Sequence, residues 1–85
     1  MTLSRGATRR IVEQLLSDLL ELDGDIDWSL IRYHQTPQWD SLVHVVIINE
    51  LETILSINLS PEDVTRMCSI DDILRILQGE GVVVE

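Results

Sequence analysis

Apolar side chains recur at three- and four-residue intervals in three long stretches of the chain, a pattern that predicts amphipathic helices. The first stretch spans about residues 4–22, and Gly24 is its expected C-terminal stop. Its apolar stripe consists of Ile11, Val12, Leu15, Leu16, Leu19, Leu20 and Leu22. Charged and polar side chains fill the opposite face, so the stripe predicts a helix packed on one side.

The second stretch begins at Asp40-Ser41, two residues that favour a helix N-terminus. β-branched residues are frequent between residues 42 and 48 and would also suit a strand. We expect a helix, because helical spacing continues from residue 49 to residue 55 without a turn. The expected core row is Leu42, Val45, Ile48, Leu51 and Leu55. With that row on the core, Val43 and Ile47 should be partly exposed.

Two shorter helices should follow. Ser60 caps the first, Pro61 occupies its first position, and the helix should end at Arg66 or Met67. Ser69 caps the second, which should end at Gly79. The apolar stripe of this last helix is Ile70, Ile73, Leu74 and Leu77.

The segment between the first two long helices, residues 23–40, lacks a sustained period. We interpret it as a long ordered loop, with one helical turn from Trp28 to Arg32. The sequence therefore predicts an all-α fold: a small antiparallel four-helix bundle with three main helices, one short helix and a long first loop. Residues 1–85 form one domain, with a core of about 8–78 and a tail, 79–85, that is dispensable for folding.

Composition narrows the possible partners. The 85 residues carry 6 basic and 15 acidic side chains, a net charge of −9, and every basic residue is Arg. Such a surface repels nucleic acids and anionic membranes and favours a basic protein partner. The chain is too short for the large α/β enzyme folds. A single cysteine and the lack of an apolar leader near Met1 predict a cytoplasmic, reduced protein.

Ser41 is the candidate functional residue, because it opens the most apolar helix directly after the long loop. The motif Trp39-Asp40-Ser41-Leu42 and the helix that follows resemble the acyl carrier protein family. The resemblance covers about residues 8–78 and includes the amphipathic first helix, the long loop, the acidic balance and the starts of both short helices. In that family the serine of Asp-Ser-Leu carries a 4′-phosphopantetheine arm.

The resemblance implies that this chain carries acyl or aminoacyl groups as thioesters on an arm attached to Ser41. The implied partners are a Mg²⁺-dependent phosphopantetheinyl transferase using coenzyme A, a loading ligase or synthase, and a downstream transferase. The chain itself would be a monomer without catalytic activity. The expected recognition residues are Asp40, Leu42, Val43, His44, Ile47 and Glu50, with His44 exposed beside the arm.

The chain also departs from the family pattern. Leu55 stands where many fatty-acid carriers have an aromatic residue, and acidic side chains are sparse on the second helix before Glu50. These differences suggest a dedicated carrier in a specialised pathway. A non-enzymatic acidic interaction module without a prosthetic group is the alternative. A Ser41–His44 hydrolase and a metal site from His34, His44 and Cys68 have little support, because neither has the expected motif.

Overall fold

The structure is a computed structural model and describes residues 6–82. This range forms four α-helices and one short 3₁₀ turn, and it contains no strand. The helices are α1 (Ala7–Leu19), α2 (Ser41–Leu55), α3 (Pro61–Arg66) and α4 (Ile70–Gly79), and the 3₁₀ turn is Trp28–Leu30. Helix α1 packs against α2 and α4, and α3 packs against α4. The predicted helical fold is confirmed, as is the short turn in the first loop.

The helix starts follow the predicted capping chemistry. The Ser60 hydroxyl accepts a hydrogen bond from the Asp63 backbone N–H at 3.1 Å, and the Ser69 hydroxyl accepts one from Asp72 at 3.2 Å. Each bond satisfies one of the backbone donors that a helix N-terminus leaves unpaired. The boundaries of α3 and α4 therefore agree with those expected from the sequence.

Helix α1 ends earlier than Gly24, the residue expected to stop it. The chain leaves the helix at Leu20, and Glu21 adopts the left-handed conformation at φ 55°. The Leu22 N–H then donates to the Ser17 carbonyl at 2.9 Å, the six-to-one bond of a Schellman turn. The half-buried Leu22 packs against the core. This apolar contact explains why a glutamate occupies a position that usually favours glycine.

The core lies where the stripes of α1, α2 and α4 meet. Its buried apolar side chains are Val12, Leu16, Leu20, Trp39, Ile47, Ile48, Leu51, Met67, Ile70, Ile73, Leu74 and Leu77. Trp39 comes from the long loop and is the largest side chain that is fully buried. The loop therefore contributes directly to the core.

The predicted orientation of α2 is wrong at its N-terminal half. Leu42 and Val45 were expected in the core, but they are 74% and 53% exposed. Ile47 was expected on the surface and is fully buried, while Ile48 and Leu51 are buried as predicted. Residues 42–48 are apolar apart from His44, so hydrophobic periodicity alone does not select the inward face. A hydrogen bond from Trp39 to His44 turns position 44 inward, and Ile47 and Ile48 follow it.

The predicted tail, 79–85, overlaps α4 by one residue, because Gly79 is the last residue of that helix. Gly81 has φ 90°, and the Val82 N–H donates to the Leu77 carbonyl at 3.0 Å. Val82 is half-buried and packs against the core. Residues 83–85 lie outside the described range.

Candidate functional site

Ser41 is the first residue of α2, and its side chain is exposed. Its hydroxyl makes no hydrogen bond with any other residue of the 6–82 range. By contrast, the hydroxyls of Ser60 and Ser69 are both engaged as helix caps. The hydroxyl of Ser41 is therefore accessible to a reagent from solvent and costs no internal bond when it is modified.

Asp40 caps the N-terminus of α2, in which Ser41 is the first residue. Its carboxylate accepts a hydrogen bond from the Val43 backbone N–H at 2.9 Å, and its backbone carbonyl accepts one from the His44 N–H at 2.9 Å. The N–H groups of Ser41 and Leu42 lie in the first turn, where a helix offers them no carbonyl partner. These donors and the positive end of the helix dipole favour an anion close to the Ser41 side chain.

His44 lies three residues beyond Ser41, but its side chain points inward and is only 4% exposed. Trp39 Nε1–H donates to His44 Nδ1 at 3.0 Å, and His44 Nε2 lies 2.9 Å from the Val64 carbonyl of α3. An indole N–H can only donate, so Nδ1 must accept and Nε2 must carry the proton. This neutral imidazole joins the loop, the start of α2 and α3.

Tyr33 covers one face of this imidazole. Its ring stacks on His44 with centroids 4.2 Å apart and planes 6° apart, and His34 stacks against Tyr33 at 3.9 Å. The Tyr33 N–H also donates to the Cys68 carbonyl at 2.8 Å, which ties the loop to the α3–α4 connection. The aromatic side chains of Tyr33 and Trp39 thus act as anchors of the loop.

Turns within the loop complete the support behind Ser41. Thr36 is buried, and its hydroxyl accepts from the Arg32 N–H at 2.9 Å. The Trp39 N–H donates to the Thr36 carbonyl at 2.9 Å, and the Trp39 carbonyl accepts from His34 N–H at 3.1 Å. The segment that leads to Ser41 is consequently held by backbone bonds on both sides of Pro37.

The structure divides the six expected recognition residues into two groups. Asp40, Leu42 and Glu50 are exposed, and Val43 is half-buried as predicted. His44 and Ile47 are buried, so the expectation that a partner would meet their side chains at the surface is wrong. Val45 and Val46 occupy the surface instead, at 53% and 38% exposure. The hydrogen bond between Trp39 and His44 fixes the inward face of α2, and the hydrophobic periodicity of the sequence gives no signal for it.

A groove of about 590 Å³ lies between α1 and the second half of α2. Its lining includes the apolar side chains of Ile11, Leu15 and Ile54 and the charged side chains of Arg10 and Glu50. Glu50 follows Ser41 by nine residues, about 13 Å along the helix axis. The groove is therefore separate from the surface immediately around Ser41.

Within residues 6–82, no group of three or more His, Cys, Asp or Glu side chains is arranged to hold a metal ion. Asp27, from the acidic turn 23–27, caps the 3₁₀ turn by accepting from the Ser29 N–H at 3.1 Å. The pKa of Glu80 is raised by hydrogen bonding to the Asp63 side chain, by desolvation and by the Asp63 charge.

Comparison with protein-family models, with curated proteins and with solved structures finds no match for this chain. None of the helices formed by the described residues has the length and apolarity needed to cross a membrane.

Proposed function

We propose that this chain is a carrier protein that holds acyl or aminoacyl groups on a 4′-phosphopantetheine arm attached to Ser41. The observation that carries the proposal is the exposed Ser41 hydroxyl at the start of α2, engaged in no hydrogen bond within residues 6–82. The motif Trp39-Asp40-Ser41-Leu42 and the antiparallel four-helix bundle that we infer for α1–α4 support the same assignment.

The residues around Ser41 suit a phosphodiester. The Ser41 oxygen forms a bond to the phosphorus of the phosphopantetheine half of coenzyme A and gives up its proton to a base of the transferase. The pyrophosphate bond of coenzyme A breaks, and adenosine 3′,5′-bisphosphate leaves. The first-turn N–H groups of Ser41 and Leu42 would hold the phosphate of the arm. When bound, the arm supplies a thiol that holds the cargo as a thioester.

The rest of the chain serves as a rigid support. Trp39, His44 and the turn around Thr36 fix the position of Ser41 relative to α3. His44 does not act as a base for Ser41, because both of its ring nitrogens are bonded elsewhere. The reactive chemistry thus belongs to partner enzymes: the phosphopantetheinyl transferase, a loading ligase or synthase, and a downstream transferase. We place the carrier in the cytoplasm, since its single cysteine offers no internal disulfide, and we propose that it acts as a monomer.

A second candidate function is an acidic interaction module that carries no prosthetic group. The exposed apolar side chains of Leu42, Val45 and Val46 favour it, because such patches mark protein contacts. In that case Ser41 would stay unmodified and would serve only as a helix-start residue.

Intact-mass measurement distinguishes the two functions. After incubation with coenzyme A, Mg²⁺ and a broad-specificity phosphopantetheinyl transferase, the wild type should gain one phosphopantetheinyl group. Ser41→Ala should gain none and keep its helical circular dichroism. Ser60→Ala is the matched control and should gain one group, since Ser60 is engaged as a cap. Modification that persists in Ser41→Ala, or a wild type that gains no mass, would contradict the carrier assignment.

A further inference from the structure

The groove between α1 and the second half of α2 exposes apolar surface that no part of the proposed function uses. Its volume is about 590 Å³, and its apolar side chains come from both helices. Ile54 is 47% exposed, and Ile11 and Leu15 are half-buried. Covering these side chains would remove apolar surface from water, which favours association.

Charged side chains lie beside the apolar ones. Arg10 and Asp18 of α1 and Glu50 of α2 line the same groove, and all three are exposed. Although one cation and two anions are present, none of them forms an ion pair within residues 6–82. Asp18 accepts one hydrogen bond from Gln14 at 3.0 Å, and its carboxylate has room to accept more. Each of the three charges can therefore pair with an opposite charge of a partner.

The spacing of these charges fits an α-helix as the partner. Eight residues separate Arg10 from Asp18, about 12 Å along the axis of α1, and a partner helix covers that length with just over two turns. A third helix that lies against two neighbouring helices packs its side-chain ridges into the groove between them. An amphipathic helix with apolar side chains at every third or fourth position binds a groove of this kind.

Charge selects among the possible helices. One guanidinium against two carboxylates leaves a net charge of −1 among the lining residues, and the whole chain carries −9. The groove therefore attracts a basic helix and repels a second copy of this chain. Arg10 adds a further condition, because it would repel a basic residue placed opposite it and would pair with an acidic one.

We propose that this groove is a docking site for an amphipathic helix of a partner protein. The helix presents an apolar row to the three apolar side chains, basic residues to Asp18 and Glu50, and an acidic residue to Arg10. The inference goes beyond the carrier function, because Ser41 lies about 13 Å from Glu50 along α2 and does not line the groove. A partner held there leaves Ser41 open to a second protein.

A displayed library of helical peptides provides the probe. The peptides are about 15 residues long, share one apolar row, and vary among Lys, Glu and Gln at the positions that flank it. Selection on the full chain at physiological salt should recover peptides that contain more Lys than Glu and retain one Glu at a fixed position. Fluorescence anisotropy then gives the Kd of a recovered peptide after chemical synthesis.

Variants of the groove locate the binding site. Ile54→Ser should raise Kd about tenfold, which corresponds to the loss of about 1.4 kcal/mol of contact energy. The matched controls, Leu30→Ser and Leu42→Ser, change side chains that are 71% and 74% exposed but lie outside the groove, and they should alter Kd by less than about twofold. Glu50→Lys should also raise Kd, and changing the facing Lys of the peptide to Glu should lower it again. This rescue separates charge pairing from a change in the fold.

Ser41→Ala should bind the peptide with the Kd of the wild type, because the groove is separate from Ser41. The inference would be overturned if no peptide were recovered, if Ile54→Ser bound as tightly as the wild type, if Ser41→Ala or Leu42→Ser weakened binding more than Ile54→Ser, or if Glu50→Lys were not rescued. A wild-type dimer that Ile54→Ser dissociates would also overturn it, since a second copy would then occupy the groove. A wild type that binds the peptide in the groove but gains no phosphopantetheine would remove the carrier function and leave the docking site in place.

Discussion

At the scale of single residues, the hydrogen bond between Trp39 and His44 determines which face of α2, the helix that begins at Ser41, is directed at the core. The indole donates to Nδ1, and the opposite ring nitrogen reaches the Val64 carbonyl, so one side chain joins three segments. When one partner of a buried hydrogen bond is removed, the remaining polar group is left without a partner. This lowers the free energy of unfolding by more than the hydrogen bond contributes on its own. The pair is therefore a sensitive point of the fold.

His44→Phe should test this role. Phenylalanine keeps a flat ring that can stack on Tyr33, but it leaves the Trp39 indole N–H and the Val64 carbonyl without their partner. We expect a loss of about 3 kcal/mol in the free energy of unfolding, measured by urea titration and tryptophan fluorescence. In a double-mutant cycle, Trp39→Phe and His44→Phe should cost less together than the sum of their separate effects. Additive costs would show that the two side chains do not interact.

The same residues mark what the sequence could and could not predict about the site. The position of Ser41 at a helix start was predictable, because Asp40 is a favourable cap and the loop before it contains Pro37. The burial of Ile47 and His44 was not, because the stretch from Leu42 to Ile48 is apolar on nearly every side. The inward face is selected by a contact from Trp39, the loop residue just before the cap Asp40, and hydrophobic periodicity along the helix contains no such information.

At the scale of the helices, the N-terminal caps depend on local sequence more closely than the orientation of the helix faces does. The helices that begin at Pro61 and Ile70 start where Ser60 and Ser69 provide an acceptor. Helix α1, in contrast, ends at Leu19 because its Schellman turn packs the half-buried Leu22 against the core, although the nearest glycine lies further on. The caps of α3 and α4 could thus be predicted from the local sequence. The end of α1 could not, because it depends on a contact with the core.

The orientation of α2 can be tested with two adjacent substitutions. Ile47→Glu places a carboxylate in the fully buried part of the core, and we expect it to unfold the domain or to cost more than about 3 kcal/mol. Val46→Glu adds the same group one residue earlier, where the side chain is 38% exposed, and it should keep helical circular dichroism and a cooperative transition. If Ile47→Glu stayed folded and Val46→Glu unfolded, Val46 and not Ile47 would face the core, and the orientation of α2 described above would be wrong.

At the scale of the whole molecule, 15 acidic side chains on 85 residues bring carboxylates close together. Within residues 6–82, Arg9 bridges α1 to Asp71 of α4 at 3.6 Å and bonds Glu13 at 3.1 Å, and Arg75 bonds Asp72 at 3.3 Å. These exposed pairs contribute little stability. The acidic surface therefore attracts basic partners at long range, but its carboxylates also repel one another and destabilise the fold.

The most direct sign of this repulsion is the pair formed by Glu80, just beyond α4, and Asp63 of α3. Hydrogen bonding to Asp63, desolvation and the Asp63 charge raise the pKa of Glu80 above its ordinary value of 4.5. The folded state then holds a proton on Glu80 over a range of pH in which the unfolded chain has lost it. By linkage, the free energy of unfolding falls as pH rises from about 4.5 through the raised pKa.

Glu80→Gln should remove this contribution, because glutamine cannot ionise. Relative to the wild type, the variant should gain stability as pH increases through this range and keep a constant advantage at higher pH, as measured by urea titrations from pH 4 to 7. Glu62→Gln is the matched control: it removes one negative charge from α3 but leaves Asp63 and Glu80 paired, so its stability difference should not follow the same curve. If the two variants showed identical pH profiles, the loss of net charge would account for the effect, and the Asp63–Glu80 contact would have no separate role.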